Sequence, residues 1–214
     1  MTPRFAQAID PIFLYVLDLL DRIGRGEKPV PPDERLRIRA LVDQAEAVVG
    51  AGPEWDSAKY ALVSWIDEVL VDTPWDGRAW WSNNVLEMEY YSTRACFEQF
   101  YVRAQEATTL ARRDALEVYY VCAVLGFRGL YRDPTTAESF MQAYGLPPDI
   151  EAWAKQAAMS IRLGQKRPAL SGPRHELSGA PPLRARSLLV WCWWSAIMLG
   201  ACNLLVLVLF WSRS

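Results

Sequence analysis

Hydrophobic residues recur along the first three quarters of the chain at the three-and-four spacing of amphipathic helices. Ile12, Val16, Leu19, Leu20 and Ile23 form one stripe, closed by Gly24 and Gly26. Ile38, Leu41, Val42, Ala45, Val48 and Val49 form a second, which opens near Pro32 with Asp33 and Glu34 in its first turn and stops at Gly50 and Gly52. Leu62, Trp65, Ile66, Val69 and Leu70 form a third, ended by the Asp72-Thr73-Pro74 turn. Leu86, Tyr90, Phe97, Phe100 and Tyr101 predict a fourth, long helix. A fifth carries Leu116, Tyr120, Ala123, Val124 and Phe127 and ends at Gly126 and Gly129. Asp133-Pro134 opens a short sixth that closes at Gly145, and Pro147-Pro148-Asp149 opens a seventh over Ile150 to Leu163. No convincing run of strand alternation interrupts this, so residues 1–163 are expected to form an all-α domain of about seven helices.

Beyond residue 163 the pattern changes twice. Residues 164–186 combine Gly, Pro, Ser and basic side chains without periodic hydrophobicity, as expected of a flexible linker. Residues 187–211 then form an apolar stretch, and from Leu188 to Trp211 it holds no charge. As a helix its roughly 24 residues span about 36 Å, enough to cross a hydrocarbon core of about 30 Å with some tilt. Trp191, Trp193 and Trp194 at one end and Trp211 at the other stand where interfacial anchors belong. Basic residues precede this segment (Arg162, Lys166, Arg167, Arg174, Arg184 and Arg186) and only Arg213 follows it, so the bias of basic residues toward the inner side places the domain in the cytoplasm and residues 212–214 outside. The apolar run from Pro11 to Leu20 is short, is interrupted by Asp18 and lacks a small-residue cleavage site, so no signal peptide is expected.

Composition narrows the chemistry. Hydrophobic residues make up 51% of the 214 positions, which excludes a disordered chain, and 23 basic against 25 acidic residues give no footprint for nucleic acid. His175 is the one histidine, which argues against a histidine-based metal site or triad. Cys96, Cys122, Cys192 and Cys202 lack paired spacing, so reduced thiols and no zinc site are expected. Asp67, Glu68, Asp72 and Asp76 form the one acidic group with a chemical reading, a site for a hard divalent cation in a membrane-tethered enzyme. Their spacing fits no cation loop, and Asp67 and Glu68 point about 100° apart on a helix. Polar residues flanking a buried stripe explain them more simply. Leu125 to Asp133 lacks a phosphate-loop pattern, and its glycines suit a helix C-terminus. No cofactor site is expected. In the apolar segment, Cys192, Ala196, Gly200 and Asn203 share one helix face, and Ala196 with Gly200 makes a small-xxx-small pair suited to self-association as a homodimer.

Two segments carry a resemblance. YALVSWIDEVLVDTPWDG, from Tyr60 to Gly77, resembles the apolar helix, Ile-Asp-Glu core and Thr-Pro-Trp turn of the TssL (DotU/IcmH) family, the tail-anchored inner-membrane component of type VI secretion systems. Ile66, Asp67, Glu68, Thr73, Pro74 and Trp75 carry that match. LEVYYVCAVLGFRGLYR, from Leu116 to Arg132, resembles the family's second run through Glu117, Tyr119, Tyr120, Cys122, Gly126, Phe127, Gly129, Tyr131 and Arg132. The single C-terminal apolar segment is the third point of likeness. Between the motifs the sequence departs from the family. Glu98 and the Phe100-Tyr101 pair survive, but a His and a first Glu are missing, and Arg128 stands where the family often has Glu. No peptidoglycan-binding extension is expected after the apolar segment. The resemblance implies a cytoplasmic domain of two small helix bundles, no enzymatic activity, and membership of a complex. Its partners there would be TssM-like and TssK-like components directly and a TssJ-like lipoprotein indirectly. A related adaptor of a type IVB-like system shares these features.

Overall fold

The computed structural model describes residues 1–164 together with Trp194 and Met198; in residues 134–136 the backbone alone is described. Residues 1–167 form one compact unit and residues 168–214 a second. In the second, Trp194 and Met198 are both helical and exposed, and the remaining positions of the expected linker 164–186 and apolar segment 187–211, including Cys192, Ala196, Gly200 and Asn203, lie outside the described residues.

Among the described residues all regular structure is helical, and seven helices run eleven residues or longer. α1 (Pro3–Gly24) and α2 (Pro31–Val49) each start on proline, whose missing N–H is harmless in a first turn. α1 continues through Pro11, which is tolerated on a solvent-facing side. The two form an antiparallel hairpin. At its open end Arg4 donates to the Val48 carbonyl at 2.5 and 3.0 Å, and near its turn Arg22 pairs with Glu34 at 3.1 Å.

α3 (Pro53–Asp72) is the central element, with eleven buried residues and no fully polar face. Next come two six-residue helices, α4 (Arg78–Asn83) and α5 (Leu86–Tyr91), then α6 (Cys96–Ala107) and α7 (Asp114–Val124). A 3-10 turn at Gly129–Arg132, α8 (Pro134–Tyr144) and α9 (Ile150–Gly164) complete the unit.

Side-chain contacts set the directions. The Ala115 N–H donates to Glu54 at 3.1 Å and the Trp65 indole donates to the Leu125 carbonyl at 3.3 Å, so α3 and α7 run parallel. Arg103 lies 3.8 Å over the Tyr60 ring, while Cys96 donates to Glu87 beside the later half of α3, so α6 runs antiparallel to both. The ends of α3 and α7 and the start of α6 therefore gather at one end of the unit.

One expectation needs correction. The long fourth helix is broken. Ser92 takes a left-handed φ of 55° and residues 92–95 leave the helix, so Leu86 and Tyr90 sit on α5 while Phe97, Phe100 and Tyr101 sit on α6. One contiguous core joins Phe5, Ile12 and Val16 of α1 to Trp65 of α3, Phe100 of α6 and Trp153 of α9 within the single unit 1–167. Phe13 meets Trp65 at 5.1 Å, and Phe100 stacks on Phe127 at 3.9 Å. Among the described residues no helix is long and apolar enough to cross a membrane.

Candidate functional site

At the end where α3, α6 and α7 gather, an open groove of about 620 Å³ lies between the last turns of α3, the start of α6, the 3-10 turn and α8. Its walls combine apolar side chains with carboxylates of the first motif, Asp67, Glu68 and Asp72, and with Gly129 and Arg132 of the second. Each carboxylate has a different task.

Asp67 is 3% exposed and works inward. Its Oδ1 accepts the Trp81 indole N–H at 3.0 Å and the Leu86 N–H at 2.9 Å, and its Oδ2 accepts the Glu87 N–H at 2.8 Å. The first N–H groups of a helix lack partners within it, and Asp67 supplies them to α5 from another helix. Burial pushes its carboxyl up to about 6, against the pull of those donors toward the ionised form.

Glu68, the next residue, faces the second motif. It accepts the Arg128 N–H at 2.6 Å and the Gly129 N–H at 3.0 Å, and Arg132 pairs with it at 3.1 Å. Burial raises the Glu68 carboxyl, while the Arg128 and Gly129 N–H groups and Arg132 pull it down. Arg132 also forms a two-pronged pair with Asp72. The Asp72 pairing holds the guanidinium well above its ordinary range.

Gly129 is required where it is. Its φ is +48°, and a Cβ there would stand 2.8 Å from both the Phe127 ring and the Phe97 carbonyl.

The expected acidic group is thus not one site. Asp67 serves α5, Glu68 and Asp72 serve the Arg128–Arg132 turn, and Asp76 pairs with Lys28 at 3.0 Å on an exposed surface. Among the described residues no grouping of His, Cys, Asp and Glu has the arrangement of a metal site.

Six expected residues line the groove: Asp67, Glu68, Asp72, Glu98, Gly129 and Arg132. The others do not. Phe127 is fully buried under Phe100, and Tyr131 packs against Tyr101 and donates to the Pro147 carbonyl at 2.8 Å. Tyr119 is buried in the core, Tyr120 is half-buried, and Gly126 turns the chain out of α7 with φ +115°. Pro74 is exposed. Trp75 is half-buried, donates to the Leu70 carbonyl at 2.9 Å and lies across Gly77 beside Pro31.

Glu87 escaped the sequence reading because it was assigned to the middle of a long helix. It is 1% exposed and accepts four bonds, from Tyr60 Oη at 3.0 Å, Thr93 Oγ1 at 2.8 Å and the N–H groups of Ala95 and Cys96 at 3.1 and 3.2 Å. It does for the start of α6 what Asp67 does for α5. The two buried carboxylates hang residues 81–96 on α3 and so place Val85, Cys96 and Phe97 in the groove wall. The Ser-Thr pair at 92–93, which favours a turn over a helix interior, was the available signal. Burial, with the negative charge of Glu87 and Asp67 close by, pushes the Cys96 thiol far above its ordinary range, so it stays protonated.

Against known proteins, the family model for the type VI secretion system protein DotU matches residues 4–213. The chain belongs to the DotU family. Among solved structures it is similar to the cytoplasmic domain of TssL from Acinetobacter baumannii, with a TM-score of 0.59 at 19% identity over 76% of this chain and 99% of that one. At that identity the likeness speaks for the fold. No curated protein matches in sequence. The family match reaches past the helical unit and through the apolar segment, and it includes both motifs that meet at the groove.

Proposed function

We propose that this chain is a structural scaffold of a type VI secretion membrane complex, which tethers the cytoplasmic baseplate to the inner membrane. The observation that carries this reading is the meeting of the two motif segments at one open groove. There Asp67, Glu68 and Asp72 are each held by the chain's own donors, so the groove offers a shaped contact surface. The domain is cytoplasmic, and residues 187–211 form one membrane-spanning helix. Supporting the span are its uncharged length, its terminal tryptophans and the basic residues before it. Trp194 and Met198, four residues apart and helical, are 65% and 72% exposed, a pairing that lipid accepts far better than water. TssM-like and TssK-like components are the direct partners and a TssJ-like lipoprotein an indirect one. A second copy associates through Cys192, Ala196, Gly200 and Asn203. The chain has no enzymatic role.

Purification of a tagged full chain from native membranes tests the reading. Large inner-membrane and baseplate components should co-purify with it, and both should be lost from the membrane eluate when residues 187–214 are removed. Recovery of the chain from membranes without any secretion component would refute the proposal.

A further inference from the structure

Opposite the groove, the other end of the 1–167 unit is a meeting of helix termini. Asp114, at the start of α7, accepts the Thr2 N–H at 2.6 Å and the Thr2 hydroxyl at 2.9 Å, which brings in the start of α1. The bond from Ala115 to Glu54 brings in the start of α3, and the bonds from Arg4 to Val48 bring in the end of α2. The end of α9 joins them, because a Cβ on Gly164 would stand 2.3 Å from the Arg113 side chain. Three acids here serve the fold: Asp114 and Glu54 accept backbone N–H groups, and Glu117 pairs with Met1. Asp56 and Glu106 are the exposed acids in the first turn of α3 and the last turn of α6. Against them stand three exposed arginines. Arg4 is tied to Val48, Arg112 comes no nearer to Asp114 than 4.0 Å, and Arg162 forms no ion pair among the described residues. Lys166 and Arg167 follow directly in the sequence. On α9 itself Leu163 is 82% exposed, the most of any large apolar side chain among the described residues, and Met159 one turn earlier is 58% exposed. Lys155 and Arg162 share that outer face, while Trp153, Ala157 and Ile161 bury the other.

Apolar and basic side chains on one exposed helix face have the composition of a helix that rests on an anionic lipid surface. Each basic residue near such a surface adds attraction, which fades within a Debye length. The chain also keeps this end within reach of lipid. Residues 165–187 separate Gly164 from the uncharged run that starts at Leu188, and a stretch of roughly 23 residues reaches at most about 80 Å. We infer that the last turns of α9, together with Arg112 of the loop that meets Gly164, rest on anionic phospholipid headgroups. Met159 and Leu163 enter the interface, and Lys155, Arg162 and Arg112 meet phosphate. This rests on the proposed membrane span and goes beyond it, because a tether alone leaves the domain free to turn. The contact holds the opposite end, with the groove, away from the bilayer.

The test uses the purified full chain in lipid nanodiscs, made of phosphatidylcholine alone or with about a third phosphatidylglycerol. A benzophenone amino acid replaces Leu163 or, as a control at the groove end, the exposed Val124. After irradiation, mass spectrometry of the labelled peptide separates phospholipid adducts from protein adducts. Position 163 should give phospholipid adducts, several-fold more with phosphatidylglycerol than without, and position 124 only background. Arg112→Gln and Arg162→Gln should each lower the yield at 163 about fivefold. Arg112 lies far from the tether in sequence, so its effect reports the surface contact and not the tether. Melting should be alike for the parent and Arg112→Gln, which separates lost contact from lost folding. Equal yields in the two lipid mixtures, equal yields from positions 163 and 124, adducts on protein in place of lipid, or a yield unchanged by Arg112→Gln would each overturn the assignment. Co-elution of the chain with the discs is scored in the same samples. If the chain enters the discs while the adducts contradict, the surface contact alone fails; if it stays out of them, the span fails and the contact with it.

Discussion

Glu87 offers the sharpest test of how the groove wall is held. Replacement by Ala removes the acceptor for four donors at 2.8–3.2 Å. Tyr60 is fully buried, so its hydroxyl is left unpaired at a cost of about 1–3 kcal/mol. The N–H groups of Ala95 and Cys96 open the half-buried start of α6, where water can reach them, and losing this cap costs about 1 kcal/mol. Lost packing of the buried Cγ methylene adds roughly 0.8 kcal/mol, while relief from burying a carboxylate offsets part of the total. The sum is a destabilisation of about 3–4 kcal/mol for the 1–167 unit. For a domain of this size that lowers Tm by about 6–16 °C. Glu87→Gln keeps one oxygen for the shared donors and turns its amide toward the Cys96 N–H, so about 1–2 kcal/mol is expected. Thermal melting of the 1–167 fragment measures both. A double-mutant cycle with Tyr60→Phe isolates the buried bond, because removing both partners spares the unpaired hydroxyl, and a coupling of about 1–3 kcal/mol is expected. A Glu87→Ala melting point within 2 °C of the parent, or strict additivity with Tyr60→Phe, would refute the reasoning.

Three further outcomes follow from the same geometry. Burial raises the Asp67 carboxyl from 3.8 to about 6. The folded state therefore holds this proton more tightly than the unfolded chain, so its contribution to stability is full below about pH 4 and is lost as pH rises through 6. Urea titrations should show the parent losing up to about 3 kcal/mol relative to Asp67→Asn across that window, whereas a flat difference curve would count against burial as the dominant influence. Gly77→Ala would bring a Cβ within 2.4 Å of the Trp75 ring and 2.5 Å of Pro31, so a loss of about 1–3 kcal/mol is expected in urea unfolding, and an unchanged midpoint would show that Trp75 is not held there. In the membrane, Cys192 with the other three cysteines replaced should form an oxidative dimer that Gly200→Ile abolishes, and cross-linking through a cysteine at Leu199 instead would move the interface to another face.

Helix positions were legible because periodicity and punctuation agreed. α3 stops at Asp72 before Thr73-Pro74, and α8 closes on Gly145 with φ +62°, where a left-handed residue ends a helix. Residues 84–95 were not legible. Leu86, Tyr90 and Phe97 keep helical spacing across a break whose local sign is Ser92-Thr93, and no local pattern marks Asp67 and Glu87 as the caps that start α5 and α6. Part of the site was readable for the converse reason. Asp67, Glu68, Gly129 and Arg132 stood out in motifs, yet periodicity alone could not tell a buried cap such as Asp67 from a surface acid such as Asp76. Phe140 could not have been assigned to the groove, because its place depends on how α8 returns after the 3-10 turn.

The account as a whole depends on where the two ends of the chain lie. An alkaline phosphatase reporter, active in the periplasm and inactive in the cytoplasm, can be fused after Ser214 of the full chain. On the proposed topology, argued from the basic residues of 162–186 and the uncharged run of 188–211, that end lies across the inner membrane from the domain. High phosphatase activity is expected. An inactive reporter on a stable, membrane-bound fusion would contradict the orientation and, with it, the docking of cytoplasmic partners at the groove.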